Sequence, residues 1–218
     1  MARVAKTMRG YPAPWVLCGG WAVDAWLGEV TRQHGDIDIS VFLEDSHVLH
    51  DYLTGWELVS HDAFKETNEL WDGKPIALPG HLHARIARPD EEIPISDALT
   101  TEMGFEWDLV FNERTVDSEW VLYFTPHDGK GATREAVVTI PFDRGVRESA
   151  WGVPTLAPEV LLFYKATAYK GTRNYMRRRD HLDFERMLPR LTKEQRTWLS
   201  EAIALVESDH PWLGVVSM

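Results

Sequence analysis

The chain has 218 residues, enough for one domain or for a core domain with a modest second lobe. Hydrophobic residues make up 44% and charged residues 26%, the balance of a globular protein in water, and no run approaches the roughly 18 apolar residues that a helical membrane span needs. A net charge of -11 excludes nucleic acid as the expected partner, because phosphates demand clustered Lys and Arg; it suits a cationic small ligand, or simple solubility.

Met1 to Gly10 carries basic residues with no apolar run behind them, so no secretory signal is expected and the chain is read as cytoplasmic. Trp15 to Cys18 is a short apolar run that predicts a buried strand ended by Gly19-Gly20. Cys18, the single cysteine, is read within that run as a small core side chain, and its solitude excludes an intrachain disulfide. Trp21 to Glu29 predicts a helix stopped at Gly28, and Thr31 to Gly35 a polar loop. Asp36-Ile37-Asp38-Ile39-Ser40-Val41 alternates strictly, the mark of a half-buried strand.

A helix over Glu44 to Leu53 follows, then strands over Trp56 to Ser60, His81 to Ala87, Phe105 to Phe111, Trp120 to Phe124 and Ala136 to Pro141. After Val153-Pro154 the pattern turns helical, with helices opening at Pro158 and covering Asp180 to Leu188 and Lys193 to Glu207. The fold class expected is α+β (α/β), a mixed sheet flanked by helices over residues 1–150 and a small helical part over 151–218.

The chemistry is expected where Asp36 and Asp38 fall. Side chains two apart on a strand share a face, so both carboxylates point one way while Ile37, Ile39 and Val41 enter the core. Two such carboxylates repel unless a positive charge lies between them, and a hard divalent cation, Mg2+, is the natural occupant. Phe105 to Phe111 alternates in the same way, placing Trp107, Leu109 and Phe111 inside and Glu106 and Asp108 outside. Should that strand lie beside the first, Asp108 completes the metal site and can take a proton from an attacking hydroxyl, with Glu106 as its alternate. The Gly19-Gly20 bend lets backbone N–H groups approach a triphosphate, and the helix after it aims its positive end at the same anion.

Other residues admit plainer readings. Arg32 and His34 contact phosphate or fix the loop that presents Asp36. Asp180 and Asp183 are read as structural partners of Arg177, Arg179 or Lys165. His81 and His83 have the spacing of two strand ligands for zinc, but no cysteine cluster or further histidine stands near them in sequence. Trp21 and Trp26 are read as core residues of the first helix.

Gly19-Gly20-Trp21-Ala22-Val23-Asp24, Gly28, Thr31-Arg32, His34 and Asp36-Ile37-Asp38-Ile39 together resemble the signature of aminoglycoside and lincosamide nucleotidyltransferases, of the polymerase-β-like superfamily. The resemblance extends through His83-Ala84-Arg85-Ile86-Ala87-Arg88-Pro89, Phe111-Asn112-Glu113-Arg114, Leu156-Ala157-Pro158-Glu159-Val160 and His210-Pro211-Trp212-Leu213, which are similar to the aminoglycoside 2''-adenylyltransferase-like branch. It implies that Asp36, Asp38 and Asp108 hold Mg2+ and carry catalysis, that Gly19, Gly20 and Arg32 meet the nucleotide, and that Lys165 neutralises leaving pyrophosphate. It further implies transfer of a nucleoside monophosphate, AMP from ATP, to the hydroxyl of a small acceptor such as an aminoglycoside or lincosamide. Glu106, Glu113, Asp97 and Glu102 are the candidates to bind such an acceptor's amines. Superfamily members that act on protein or RNA ends, or that bind nucleotide without turnover, supply the rival expectations. One departure stands out: the superfamily's turn carries Gly-Ser, and here Gly20 replaces the serine.

Overall fold

The computed structural model describes residues 1–62, 67–76, 80–88, 90, 99, 101–124, 135–167 and 177–216. These form two compact units, one of Met1–Trp21 with Val30–Glu113 and the other of Ala22–Glu29 with Arg114–Met218.

The first unit is built on a mixed sheet. Its strands are β1 (Val16–Leu17), β2 (Ile37–Phe42), β3 (Trp56–Asp62), β4 (Thr67–Leu70), β5 (His81–Ile86) and β6 (Trp107–Arg114), in the order β4-β3-β5-β6-β2-β1. β2 and β6 run parallel, and the other neighbours run antiparallel. Alternation was the signal for β2 and β6, and burial follows it in β6, where Trp107, Leu109 and Phe111 are fully enclosed; β2 departs from it, with Ile37 only half-buried and Ser40 buried like Ile39 and Val41, because its far end is covered on both faces. Ile39, Val41, Trp107, Leu109 and Phe111 pack with Leu49 and Leu53, which belong to or follow α3 (Ser46–Tyr52), and with Val4 and Met8 of α1 (Ala2–Met8). Packing of Trp56 against Trp107 and of Trp71 against Phe111, with centroids 4.6 and 5.7 Å apart, fills this core with aromatic bulk. The helix α1 was not foreseen, because Ala2 to Met8 offers only Val4 and Met8 as an apolar face.

α2 (Gly19–Leu27) begins at the glycine pair, two residues before the predicted start, and ends as expected at Gly28, whose φ of +84° and N–H bond to the Asp24 carbonyl close the helix.

The second unit holds the hairpin of β7 (Glu119–Phe124) and β8 (Glu135–Pro141), α4 (Phe142–Gly145), and the pair β9 (Val146–Glu148) and β10 (Pro154–Leu156). Its helices are α5 (Pro158–Thr167), α6 (Arg178–Met187), α7 (Lys193–Val206) and α8 (Leu213–Val216). Helix α7 starts on a capping box in which Thr192 and Gln195 bond each other's backbone N–H groups. Phe184 stacks on Trp212 with centroids 4.0 Å apart, which fastens the His210-Pro211-Trp212 segment to α6. No helix among the described residues is long and apolar enough to cross a membrane.

Candidate active site

Parallel pairing of β2 with β6 sets Asp38 directly opposite Asp108, in a register that also pairs Ile37 with Trp107 and Ile39 with Leu109. The Ile37 N–H donates to the Glu106 carbonyl at 2.8 Å, which locks the strand entry. Asp36, Asp38 and Asp108 consequently offer carboxylate oxygens that all lie within 4.8 Å of one another, with Asp36 exposed and the other two half-buried. Three acidic groups this close repel strongly unless a cation joins them. All-oxygen donors held on one open face fit a hard divalent ion that keeps positions free for phosphate.

Asp108 and its alternate Glu106, which alternation puts on one face, are given different surroundings by the fold. Glu106 makes an ion pair with Arg3 of α1. Asp108 instead joins the cluster and meets His83, whose Nδ1 lies 2.6 Å from its Oδ1.

The glycine bend abuts the same carboxylates. Cys18 N–H donates to the Asp38 carbonyl at 2.9 Å, and the buried Cys18 thiol accepts from the Ser40 hydroxyl at 3.3 Å. These bonds hold β1 against β2, so Gly19 enters α2 with φ +63° right beside the Asp38 side chain. A Cβ on Gly19 would stand 2.5 Å from Asp38 Cγ, closer than real side chains come. Hydrogen at this position is therefore what lets the helix's N-terminal end and the carboxylate share one place.

Gly20 has a different neighbour. A Cβ there would lie 2.5 Å from Arg32 Nη2 and 2.6 Å from His34 Cε1. A side chain at this position would contend with those of Arg32 and His34 for the same space. His34 also packs on Trp21, with ring centroids 4.6 Å apart, so Trp21 is half-buried against the loop.

Lys165 belongs to the second unit. It is buried on α5, 3.1 Å from Asp180 and 2.8 Å from Asp183, while Arg177 also meets Asp180 at 2.5 Å. The structural reading of Asp180 and Asp183 agrees with these contacts. Of the residues expected to bind acceptor amines, Glu102 is exposed and Glu113 half-buried, and Asp97 falls outside the described residues.

Two contacts escaped the sequence reading. Spacing puts His83 on one face of β5 with His81, but no feature of the sequence pairs it with Asp108. Arg3 had no signal at all, because its helix was not expected.

The fold is nucleotidyltransferase-like. Residues 1–81 match the family model described as aminoglycoside-2''-adenylyltransferase. That match spans the part of the first unit that carries the Gly19-Gly20 bend, Asp36 and Asp38. A crystal structure of ANT(2'')-Ia in complex with adenylyl-2''-tobramycin aligns with a TM-score of 0.51 at 18% identity, covering 95% of this chain and 94% of that one. A solution structure of the antibiotic-resistance factor ANT(2'')-Ia aligns with a TM-score of 0.53 at 17% identity, covering 98% and 92%. At these identities the two structures speak for the fold. No curated protein matches the sequence.

Proposed function

We propose that the chain is a Mg2+-dependent nucleotidyltransferase that moves AMP from ATP onto a hydroxyl of a small, cationic molecule. The observation that carries this reading is the convergence of Asp36, Asp38 and Asp108 beside the Gly19-Gly20 bend. Asp36, Asp38 and Asp108 are the residues to hold the metal, which when bound neutralises triphosphate charge and lowers the barrier to in-line transfer.

The chain's own groups have the remaining tasks. Backbone N–H groups at Gly19 and Gly20 and the Arg32 guanidinium bind the phosphates. Asp108 accepts the hydroxyl proton as the acceptor oxygen attacks the α-phosphorus. The bond from that phosphorus to the bridging oxygen breaks, and pyrophosphate leaves with the electron pair. Lys165 is the counter-charge for pyrophosphate that the family resemblance implies, and in that role it has to exchange Asp180 and Asp183 for phosphate.

The acceptor class is argued from charge and kinship. A net charge of -11 suits a cationic acceptor as well as it suits solubility, and the ANT(2'')-Ia crystal structure is a complex with adenylyl-2''-tobramycin. The test is pyrophosphate release from ATP and Mg2+ across a panel of aminoglycosides and lincosamides. Release that depends on one of them is expected, and Asp38→Asn should reduce it by at least about 1,000-fold while the fold persists. Nucleotide binding with no release for any acceptor, protein and RNA included, would leave a sensor in place of an enzyme. Full activity in Asp38→Asn would remove that residue from the mechanism.

A further inference from the structure

We infer that His83 is a positioning residue for Asp108, a role that rests on the transferase reading above and adds a member to its site. β5 and β6 pair antiparallel with His83 directly across from Asp108. The imidazole Nδ1 stands 2.6 Å from Asp108 Oδ1, and the two side chains are only 17% and 22% exposed. An ionised carboxylate can only accept, so Nδ1 carries the proton and donates it.

Such a bond answers a specific need. The terminal torsion of an aspartate is broad and nearly two-fold, so an unsupported carboxylate swings freely between its two oxygens. Beside Asp36 and Asp38, repulsion would turn it away from the cluster. Donation to Oδ1 fixes the rotation and offsets part of the negative charge, leaving Oδ2 for the cation or the acceptor proton. The ring itself is held on two sides, by its β-strand and by an edge contact to His81 with centroids 5.0 Å apart. Glu106, two residues earlier, has Arg3 for a partner. The fold therefore equips one carboxylate of the strand to face the site and ties the other elsewhere. Outer partners of this kind orient metal-binding groups, and their loss typically weakens metal affinity by about 10–100-fold.

The experiment compares wild type with His83→Leu, which removes the donor, His83→Gln, which moves its amide one bond outward, and His83→Asn, whose amide nitrogen falls where Nδ1 was. Mn2+ binding to the full chain is titrated by EPR in the presence of an ATP analogue with a methylene bridge between the α- and β-phosphorus. Pyrophosphate release and melting temperature are measured alongside. His83→Leu and His83→Gln should bind Mn2+ at least about tenfold more weakly, and His83→Asn should recover most of the loss. Should His83→Leu fail to fold, the contrast between His83→Gln and His83→Asn gives the same reading.

Equal Mn2+ affinity in all four proteins, with binding lost in Asp38→Asn, would overturn the role of His83 and leave the metal site standing. An Asn variant as weak as the Leu variant would overturn it as well, since the donor would then be irrelevant. Wild type that binds no Mn2+ would overturn the metal site itself, and the His83 role with it.

Discussion

Gly19 carries the sharpest prediction, because one added methyl group presses on one carboxylate of the cluster, Asp38. In Gly19→Ala the new Cβ overlaps Asp38 Oδ2 and stands 2.5 Å from Asp38 Cγ, where ordinary contact begins at 3.4 Å, so the carboxylate has to move by about 1 Å or more. Asp38 is the part free to move, as β1 and β2 are hydrogen-bonded to each other. A displacement of about 1 Å in a reacting group costs on the order of 100-fold in rate. Backbone strain must be separated from this effect, since φ is +63° at Gly19 and alanine resists that region by about 1–2 kcal/mol. Gly152 is the control: its φ is +66°, and nothing lies within 4 Å of a Cβ there. Both Gly19→Ala and Gly152→Ala should lower the melting temperature by about 2–8 °C. Acceptor-dependent pyrophosphate release should fall on the order of 100-fold in Gly19→Ala alone. Wild-type turnover in Gly19→Ala, or an equal loss in Gly152→Ala, would refute the steric argument.

Placing a serine at the bend in Gly20→Ser should destabilise the chain by about 1–3 kcal/mol, as overpacking does, because Arg32 and His34 fill that space. In a His34→Ala background the penalty should shrink, and strictly additive losses in thermal melts would count against the contact. Lys165→Met should cost about 3–5 kcal/mol in denaturant unfolding, since it leaves Asp180 and Asp183 buried without their shared cation. His210 is held below its ordinary pKa by burial, and its Nδ1 accepts the Trp212 N–H at 3.1 Å. Its contribution to stability is accordingly full above pH 6.5 and is lost as pH falls from there through the lowered folded value. The pH slope of unfolding free energy below 6.5 should flatten in His210→Asn, and an unchanged slope would exclude this histidine as its source.

The amino-acid sequence by itself settled what is local. Alternation in Asp36 to Val41 and Phe105 to Phe111 says which acids share a face, because a strand's two-residue period is written into neighbouring positions. It also marks the glycine bend, and Gly28 as the end of α2. Only the tertiary structure decided which strands lie side by side and in what register. Asp108 stands beside Asp38, His83 reaches Asp108, and Arg3 engages Glu106 through pairings distant in sequence. Such register is fixed by the summed packing of a whole core, here Trp107, Leu109 and Phe111 against α1 and α3, and no short window of residues contains that sum. The same holds for Gly20: its identity is visible in the sequence, but the two side chains that crowd it, Arg32 and His34, reach it only once the loop has folded back.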